Sequence, residues 1–166
     1  DFASEEASRR SRTGVWLGIN GSPVYWVSKR QRMISDSTTA AETIAAFSAL
    51  RQVRAIAGNL NAMGFRQRFV PLLIDNAVTL MRIVDNRKTD LGGAKHLSVI
   101  TRALQEAATP AEHFSDVWPV YVSTYENVAD IFTKGYLSGQ EAAERWSILE
   151  QRARGVPPPT PPPRGD

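Results

Sequence analysis

Three acidic side chains lie where they could do chemistry together: Glu42, Asp75 and Asp130. Asp75 ends the apolar run 69–74, which is long enough for one buried strand. Ligands of open α/β sheets bind beyond the carboxyl ends of the strands, the position that Asp75 would occupy. Glu42 falls in the first turn of one predicted helix and Asp130 in a later helix. If these elements converge, we expect the carboxylates to lie about 4–8 Å apart, close enough to share a pair of metal ions.

Each carboxylate also has a purely structural interpretation. Asp75, or Asn76 beside it, could cap the following helix, because both side chains accept hydrogen bonds from free amide groups. Glu42 completes an S/T-x-x-E capping box that Thr39 begins, in which the glutamate bonds back to the Thr39 amide. Asp130 lies one residue from the apolar stripe of its helix and could be solvated. The residue types alone leave both interpretations open.

The composition is that of one globular domain. The 166 residues are 42% hydrophobic, which suffices for a core, and include no cysteine, which excludes disulfides and thiolate metal sites. No apolar run approaches ~18 residues and no signal-peptide pattern opens the chain, so we expect neither a membrane partner nor secretion. The net charge of +3 permits a polyanionic partner without requiring one.

Residue periodicity predicts the elements that must position the carboxylates. An Asn20-Gly21 step predicts a hairpin, and a right-handed crossover from it predicts the Asp75 strand parallel to it, central in one mixed sheet. Capping boxes beginning at Ser123 and Ser138 predict two late helices. The predicted elements are strands at 14–19 and 24–27, a helix at 39–63, a strand at 69–74, helices from 77 and 95, a strand at 117–122, and helices at 123–135 and 138–154.

Four further side chains are candidates for contact with phosphate groups. Lys29 and Arg30 follow the second strand, and Lys95 and His96 begin a helix. A basic run is more often a solvated face, and a lone histidine is more often a surface or core residue than a ligand. The assignment of these four residues to a binding surface is therefore a hypothesis.

Several segments carry a family resemblance in chain order. They are Asp1-Phe2-Ala3-Ser4 with Arg9-Arg10-Ser11-Arg12-Thr13-Gly14, Tyr25-Trp26-Val27-Ser28-Lys29-Arg30-Gln31, Ser37-Thr38-Thr39-Ala40-Ala41-Glu42-Thr43-Ile44-Ala45, Ile74-Asp75-Asn76, Lys95-His96-Leu97 and Asn127-Val128-Ala129-Asp130-Ile131-Phe132-Thr133-Lys134. They are similar in turn to D-W-A-G with R-R-S-T-S-G, I-S-W-x-S-K-K-Q, S-S-T-E-A-E-Y-I-A, C-D-N/S, the end of R-T-K-H-I, and L-A-D-I-F-T-K. Over about residues 1 to 137 the chain thus resembles the ribonuclease H domain of Copia-type (Pseudoviridae-like) LTR retrotransposon Pol polyproteins.

The resemblance implies a ribonuclease H-like fold, a mixed sheet flanked by helices, and hydrolysis of the RNA strand of RNA·DNA hybrids during reverse transcription. It assigns Glu42, Asp75 and Asp130 as catalytic residues and as ligands of two Mg²⁺ ions roughly 3.5–4 Å apart, with Mn²⁺ as the alternative ion. One ion would activate the water and the other would stabilise the leaving 3′ oxygen. The hybrid would be recognised through phosphates and 2′-hydroxyls, with Lys29, Arg30, Lys95 and His96 as the candidate contacts.

The family's first aspartate, in D-A-D-W, would precede Asp1 by two residues. We therefore expect this chain to lack that metal ligand and most of the first strand, which would lie between the hairpin and the Asp75 strand, and to be weakly active or inactive. The expected organisation is a ribonuclease H-like domain over 1–137, a helix over 138–155 and a disordered proline-rich tail over 156–166.

The resemblance also implies a partner and a location. The partner would be the reverse transcriptase portion of the same polyprotein, and the location would be the cytoplasm, a virus-like particle or the nucleus. Two other functional classes remain open: a catalytically silent nucleic-acid-binding module of the same fold, and an integrase-like strand-transfer enzyme. The Ala129-Asp130-Ile131-Phe132-Thr133-Lys134 ending favours the ribonuclease over the integrase.

Overall fold

The chain alternates strands and helices, in the α/β class that the sequence predicts. The computed structural model describes residues 10–32, 35, 37–67, 69–85, 95–109 and 116–133, together with residues 140, 143–144, 146–147 and 151. The elements in chain order are β1 (Arg12–Ile19), β2 (Ser22–Arg30), α1 (Thr38–Ala62), β3 (Phe69–Ile74), α2 (Ala77–Val84), α3 (Lys95–Ala108), β4 (Asp116–Tyr121) and a 3₁₀ helix (Val128–Phe132).

The predicted hairpin is confirmed. β1 and β2 pair antiparallel, and the two turn residues Asn20 and Gly21 have φ values of 50° and 81°. Positive φ at both positions of a two-residue turn matches the right-handed twist of the strands it joins. The turn fixes the pairing next to it, and a one-residue shift between Leu17 and Gly18 sets the register of the rest of the hairpin. The register decides which side chains share a face.

Helix α1 is capped two residues earlier than the capping box predicts. Ser37 is its N-cap, with Oγ accepting a hydrogen bond from the Ala40 amide at 3.1 Å. The predicted cap at Thr39 is therefore wrong, and Thr39 lies inside the helix. The Glu42 side chain is consequently not required for capping, which removes its structural interpretation.

The Asp75 strand, β3, pairs in parallel with β4. Asn76, the residue after Asp75, caps α2, because its Oδ1 accepts a hydrogen bond from the Thr79 amide at 2.9 Å. The capping role that the sequence left open between Asp75 and Asn76 therefore belongs to Asn76. Asp75 is left at the carboxyl end of β3 without that task.

The prediction of a single mixed sheet is wrong for the described residues. Among the described residues, β1 with β2 and β3 with β4 form two separate two-stranded sheets. Within these residues β3 pairs with β4 alone, and Leu73 of β3 is 39% exposed. For the described residues, the prediction that β3 is a central strand covered on both faces is therefore also wrong. An apolar run predicts that a strand is buried but does not predict which strands it pairs with.

Helix α1 connects the two sheets through the core, because it packs against β1, β3 and α3. The centre of the core holds Leu50 of α1, Ile83 of α2 and Leu104 of α3, each at most 1% exposed. Burying three such side chains contributes roughly 1.5–3 kcal/mol each. The same helix that stabilises the core thus fixes the position of Glu42 relative to both sheets.

The last described element differs from the predicted helix of 123–135. Ser123 Oγ donates to Glu126 Oε2 at 3.1 Å, a bond between side chains rather than the side-chain to backbone bonds of a capping box, and the segment forms a turn. The helix begins after the N-cap Asn127, whose Oδ1 accepts from the Ala129 amide, and it is a five-residue 3₁₀ helix. A tight helix of this length brings Asp130 close to β1.

Two predictions concern residues that are largely outside the described part of the chain. Of the helix predicted over 138–155, residues 140, 143–144, 146–147 and 151 are described, and they are helical. The tail predicted over 156–166 lies outside the described residues. Among the described helices, none has both the length and the apolar character needed to cross a bilayer.

Candidate carboxylate site

Three elements bring carboxylates to one cavity of about 30 Å³. Glu42 comes from the start of α1, Asp75 from the end of β3, and Asp130 from the 3₁₀ helix. A cavity of this volume has room for a water-sized group. The convergence of helix starts and a strand end that the sequence predicts is therefore present at this place.

Glu42 is half-buried, and its electrostatic environment disfavours its charged form. Burial raises the pKa of the Glu42 carboxyl above its usual 4.5, and the negative charges of Asp75 and Asp130 raise that pKa further. Glu42 is therefore close enough to Asp75 and Asp130 for their charges to act on it. A cation in the cavity would relieve this repulsion.

Asp130 is held by its own helix. The Thr133 Oγ1 lies 3.4 Å from the Asp130 Oδ1 and donates to the Asp130 carbonyl oxygen at 2.8 Å. Asp130 is half-buried, so its interpretation as a solvated helix residue does not hold.

The 3₁₀ helix docks on a glycine of β1. A Cβ at Gly14 would lie 2.5 Å from the Ala129 carbonyl oxygen and 2.7 Å from the Thr133 Cγ2. No side chain fits between these elements, so Gly14 allows the helix to approach β1 as closely as it does. From β2, the Ser28 hydroxyl donates to the Phe132 carbonyl oxygen. These two contacts place Asp130 over the hairpin.

Gln31 connects the hairpin to the start of α1, near Glu42. Its Nε2 donates to the Ala41 carbonyl oxygen at 2.9 Å and to the Thr13 Oγ1 at 3.1 Å, and its Oε1 accepts from the Ser35 hydroxyl. Gln31 is 5% exposed, so these bonds are made away from water. The sequence analysis missed this role, although Gln31 closes one of the quoted motifs.

A cation also lines the carboxylate cavity, and it was not predicted. Arg12, the first residue of β1, contributes to the cavity wall, and its Nη1 donates to the Ser28 Oγ at 3.3 Å. In the sequence Arg12 is indistinguishable from its basic neighbours, so only the fold singles it out.

The four predicted phosphate contacts are not in the cavity wall. Lys95 and His96 lie exposed in the first turn of α3, and Lys29 and Arg30 lie exposed at the end of β2. Among the described residues, the cavity is instead lined by the carboxylates with Arg12 and parts of β1, α1 and the 3₁₀ helix. The candidate binding residues therefore lie outside the carboxylate site itself.

The donor chemistry of the cavity fits a hard divalent cation. Mg²⁺ prefers carboxylate oxygens, and Glu42, Asp75 and Asp130 offer them around one small space. Within the described part of the chain, however, no three His, Cys, Asp or Glu side chains are placed to hold one metal ion together. The side chains thus line a common cavity without forming an assembled three-ligand centre in this conformation.

Comparison with known proteins points to a retroelement. The chain is 28% identical over 136 residues, 81% of its length, to "Retrovirus-related Pol polyprotein from transposon TNT 1-94" of Nicotiana tabacum. The match spans 10% of that polyprotein, so the chain covers about a tenth of the relative's length. No family model and no solved structure matches the chain. The similarity supports an origin in a retrotransposon Pol polyprotein without identifying which of its activities the chain carries.

Proposed function

We propose that this chain is the ribonuclease H domain of a retrotransposon Pol polyprotein, a metal-dependent endonuclease that hydrolyses the RNA strand of RNA·DNA hybrids. The observation that carries the proposal is that Glu42, Asp75 and Asp130 reach one cavity from three different elements. These are the three positions that the sequence resemblance assigns to catalysis. The distant similarity to a Pol polyprotein supports the retroelement context.

In this proposal Glu42, Asp75 and Asp130 hold Mg²⁺ or Mn²⁺ through their carboxylate oxygens. When bound, the ions supply Lewis acidity and a water molecule of lowered pKa for phosphodiester hydrolysis. The raised pKa of Glu42 supports the assignment, because burial and two neighbouring carboxylates disfavour its ionisation until a cation is present. Thr133 would help to orient the Asp130 carboxylate through its hydroxyl.

The proposed substrate is an RNA·DNA hybrid, as the family resemblance implies, and only its RNA strand would be cut. The 2′-hydroxyl distinguishes RNA from DNA, and backbone contacts read a duplex with little dependence on base sequence. The proposed partner is the reverse transcriptase portion of the same polyprotein, which would produce the hybrid.

The proposal is tested by cleavage of a labelled RNA·DNA hybrid in Mg²⁺. The 166-residue chain and a longer piece of its polyprotein that extends upstream of Asp1 are compared, with Glu42→Gln, Asp75→Asn and Asp130→Asn made in each. We expect cleavage of the RNA strand by at least the longer protein and its loss in each of the three variants. Single-stranded RNA and DNA duplex should not be cut. If neither protein cuts the hybrid, or if the three variants retain cleavage, the proposal is wrong.

Glu106→Gln is the matched control for these variants. Glu106 is an exposed carboxylate of α3 that pairs with Arg102 at 3.2 Å, four residues away on the helix surface. Such a surface pair contributes little to stability, about 0.3–0.5 kcal/mol. The control therefore removes one negative charge while leaving the carboxylate cavity intact, and it should cleave like the parent.

A catalytically silent nucleic-acid-binding module is the second candidate. It is favoured by one observation, that the described residues contain no three side chains placed to hold a metal ion together. This candidate predicts hybrid binding by both proteins with no cleavage by either, in Mg²⁺ or in Mn²⁺. The same gel assay, with a binding measurement beside it, therefore separates the two functions.

A further inference from the structure

The register of the hairpin places two arginines opposite each other. Arg12 of β1 and Arg30 of β2 are direct Cα partners in the antiparallel pair. Side chains of directly opposite residues point to the same face of the sheet, with their Cβ atoms about 4.5–5.5 Å apart. Two arginine side chains therefore start from the same face at the open end of the hairpin.

The face that they share is the face of the carboxylate cavity. Arg12 and Gly14 are two residues apart on β1 and therefore share a face, and both line that cavity. Lys29 instead pairs with Thr13, which is 5% exposed and is bonded to Gln31 on the face that packs against α1. Since neighbouring residues of a strand point to opposite faces, Arg30 belongs to the cavity face and Lys29 does not.

Charge indicates what these arginines bind. Arg12 and Arg30 both add a positive charge to this face of the hairpin, and positive charge attracts an anion. Arginine suits a phosphate group, because its planar guanidinium can donate two parallel hydrogen bonds to phosphate oxygens. Arg12 also lines the carboxylate cavity, so an anion held by this pair would lie next to Glu42, Asp75 and Asp130.

We propose that Arg12 and Arg30 together bind a backbone phosphate of the nucleic-acid strand beside the carboxylate cavity. The inference rests on the proposed function, because it takes a nucleic acid as the ligand. It refines the sequence-based set of candidate contacts in two ways. It adds Arg12, and it separates Arg30 from its neighbour Lys29, which no sequence pattern distinguishes.

The test is binding of a fluorescent RNA·DNA hybrid in EDTA, where no divalent ion contributes and no cleavage occurs. Arg12→Ala and Arg30→Ala should each weaken binding about tenfold, as expected for the loss of a hydrogen bond to a charged group. Each should also reduce the slope of log K against log salt by about one. The double variant should lose less than the product of the two single losses, because both side chains contact one phosphate.

Four further variants make the comparison specific. Lys29→Ala removes the same charge one residue away on the other face, and it should change affinity much less than Arg30→Ala. Arg54→Ala is the matched control, since Arg54 is exposed on α1, twelve residues or about 18 Å along the helix from Glu42. Arg12→Lys and Arg30→Lys should keep the salt slope but recover only part of the affinity, because lysine lacks the planar fork.

Equal losses for Lys29→Ala and Arg30→Ala would overturn the inference, as would strictly multiplicative losses in the double variant. Thermal melting of each variant distinguishes a lost phosphate contact from a loss of folding. If Arg12→Ala lowers the melting temperature, Arg30→Ala still tests the inference, because Arg30 is exposed. Binding through the two arginines without cleavage by either the 166-residue chain or the longer protein would overturn the ribonuclease proposal alone. A chain that cleaves with unchanged affinity in both arginine variants would overturn this inference alone.

Discussion

Gly14 of β1 and Ala129 of the 3₁₀ helix approach so closely that a methyl group on Gly14 would lie 2.5 Å from the Ala129 carbonyl oxygen. The contact is made by backbone, which cannot rotate away as a flexible side chain could. It fixes the distance between the hairpin and the helix that carries Asp130. The carboxylate cavity therefore depends on a residue that has no side chain.

Gly14→Ala should push the 3₁₀ helix away from β1. We expect the free energy of unfolding to fall by about 1–3 kcal/mol, as is usual for overpacking, and hybrid cleavage to fall with it. Urea denaturation and the cleavage assay measure the two effects. Gly58→Ala is the control, because a Cβ at Gly58 meets no atom within 4 Å and an alanine within a helix should raise stability by roughly 0.5–1 kcal/mol. Similar behaviour of the two variants would contradict the docking argument.

Gln31→Ala should separate the hairpin from α1. The substitution leaves the Ala41 carbonyl oxygen and the Ser35 hydroxyl without their buried partner, so we expect a loss of about 1–3 kcal/mol in the free energy of unfolding. Gln67→Ala is the matched control, since the Gln67 Nε2 bonds to the Phe65 carbonyl oxygen in an exposed position. That change should alter stability by less than about 0.5 kcal/mol. Chemical denaturation of both variants decides the comparison.

The sequence predicts local structure well here, and the reasons lie in particular residues. Three signals are local: the Asn20-Gly21 turn, the apolar run that ends at Ile74, and the three- and four-residue spacing of apolar residues along α1. The structure has all three elements. The prediction of Thr39 as the cap of α1 was wrong because Glu42, three residues later, completes the S/T-x-x-E pattern, whereas the cap in the structure is Ser37. That glutamate lies in the carboxylate cavity.

Long-range relations were harder to predict because they depend on contacts between distant segments. The pairing of β3 with β4 and the separation of the two sheets depend on which strand edges meet, and no periodicity encodes this. The roles of Gly14 and Gln31 depend on partners roughly a hundred residues and ten residues away. Arg12 lies in a run of similar basic residues, so its place in the cavity is visible only in the fold.

The pH dependence of stability should reveal the repulsion at Glu42. Its pKa in the folded protein is raised, so the folded state binds this proton more tightly than the unfolded state does. The resulting stabilisation is complete below the ordinary pKa of 4.5 and is lost as the pH rises through the raised value. Glu42→Gln should remove this loss, so the variant should exceed the parent in unfolding free energy at pH 7 and approach it below pH 4.5.

Urea denaturation across pH 4 to 8 measures this difference, again with Glu106→Gln as the control. Glu106 is exposed and lies outside the cavity, so its variant should follow the parent at every pH. If the unfolding free energies of Glu42→Gln and the parent differ by the same amount at every pH, the charged form of Glu42 is not disfavoured in the folded chain.

Asp75 and Asn76 are neighbours with separable tasks, and a pair of substitutions should separate them. Asn76→Ala removes the cap of α2 and should lower the free energy of unfolding by about 1 kcal/mol, because the Thr79 amide loses its partner. Asp75→Asn should not lower stability in the absence of metal, since it removes one of the charges that raise the pKa of Glu42. Addition of Mg²⁺ should raise the melting temperature of the parent, because a ligand that binds only the folded state stabilises it.

Asn76→Ala should keep that Mg²⁺-dependent rise from a lower starting temperature, whereas Asp75→Asn should lose most of it. In cleavage, Asp75→Asn should be inactive while binding the hybrid as tightly as the parent or more tightly, because fewer negative charges face the phosphates. Melting curves with and without Mg²⁺, measured beside hybrid affinity, give both results. An undiminished Mg²⁺ effect in Asp75→Asn would remove this residue from the metal ligands, and a lost effect in Asn76→Ala would show that the two tasks are not separate.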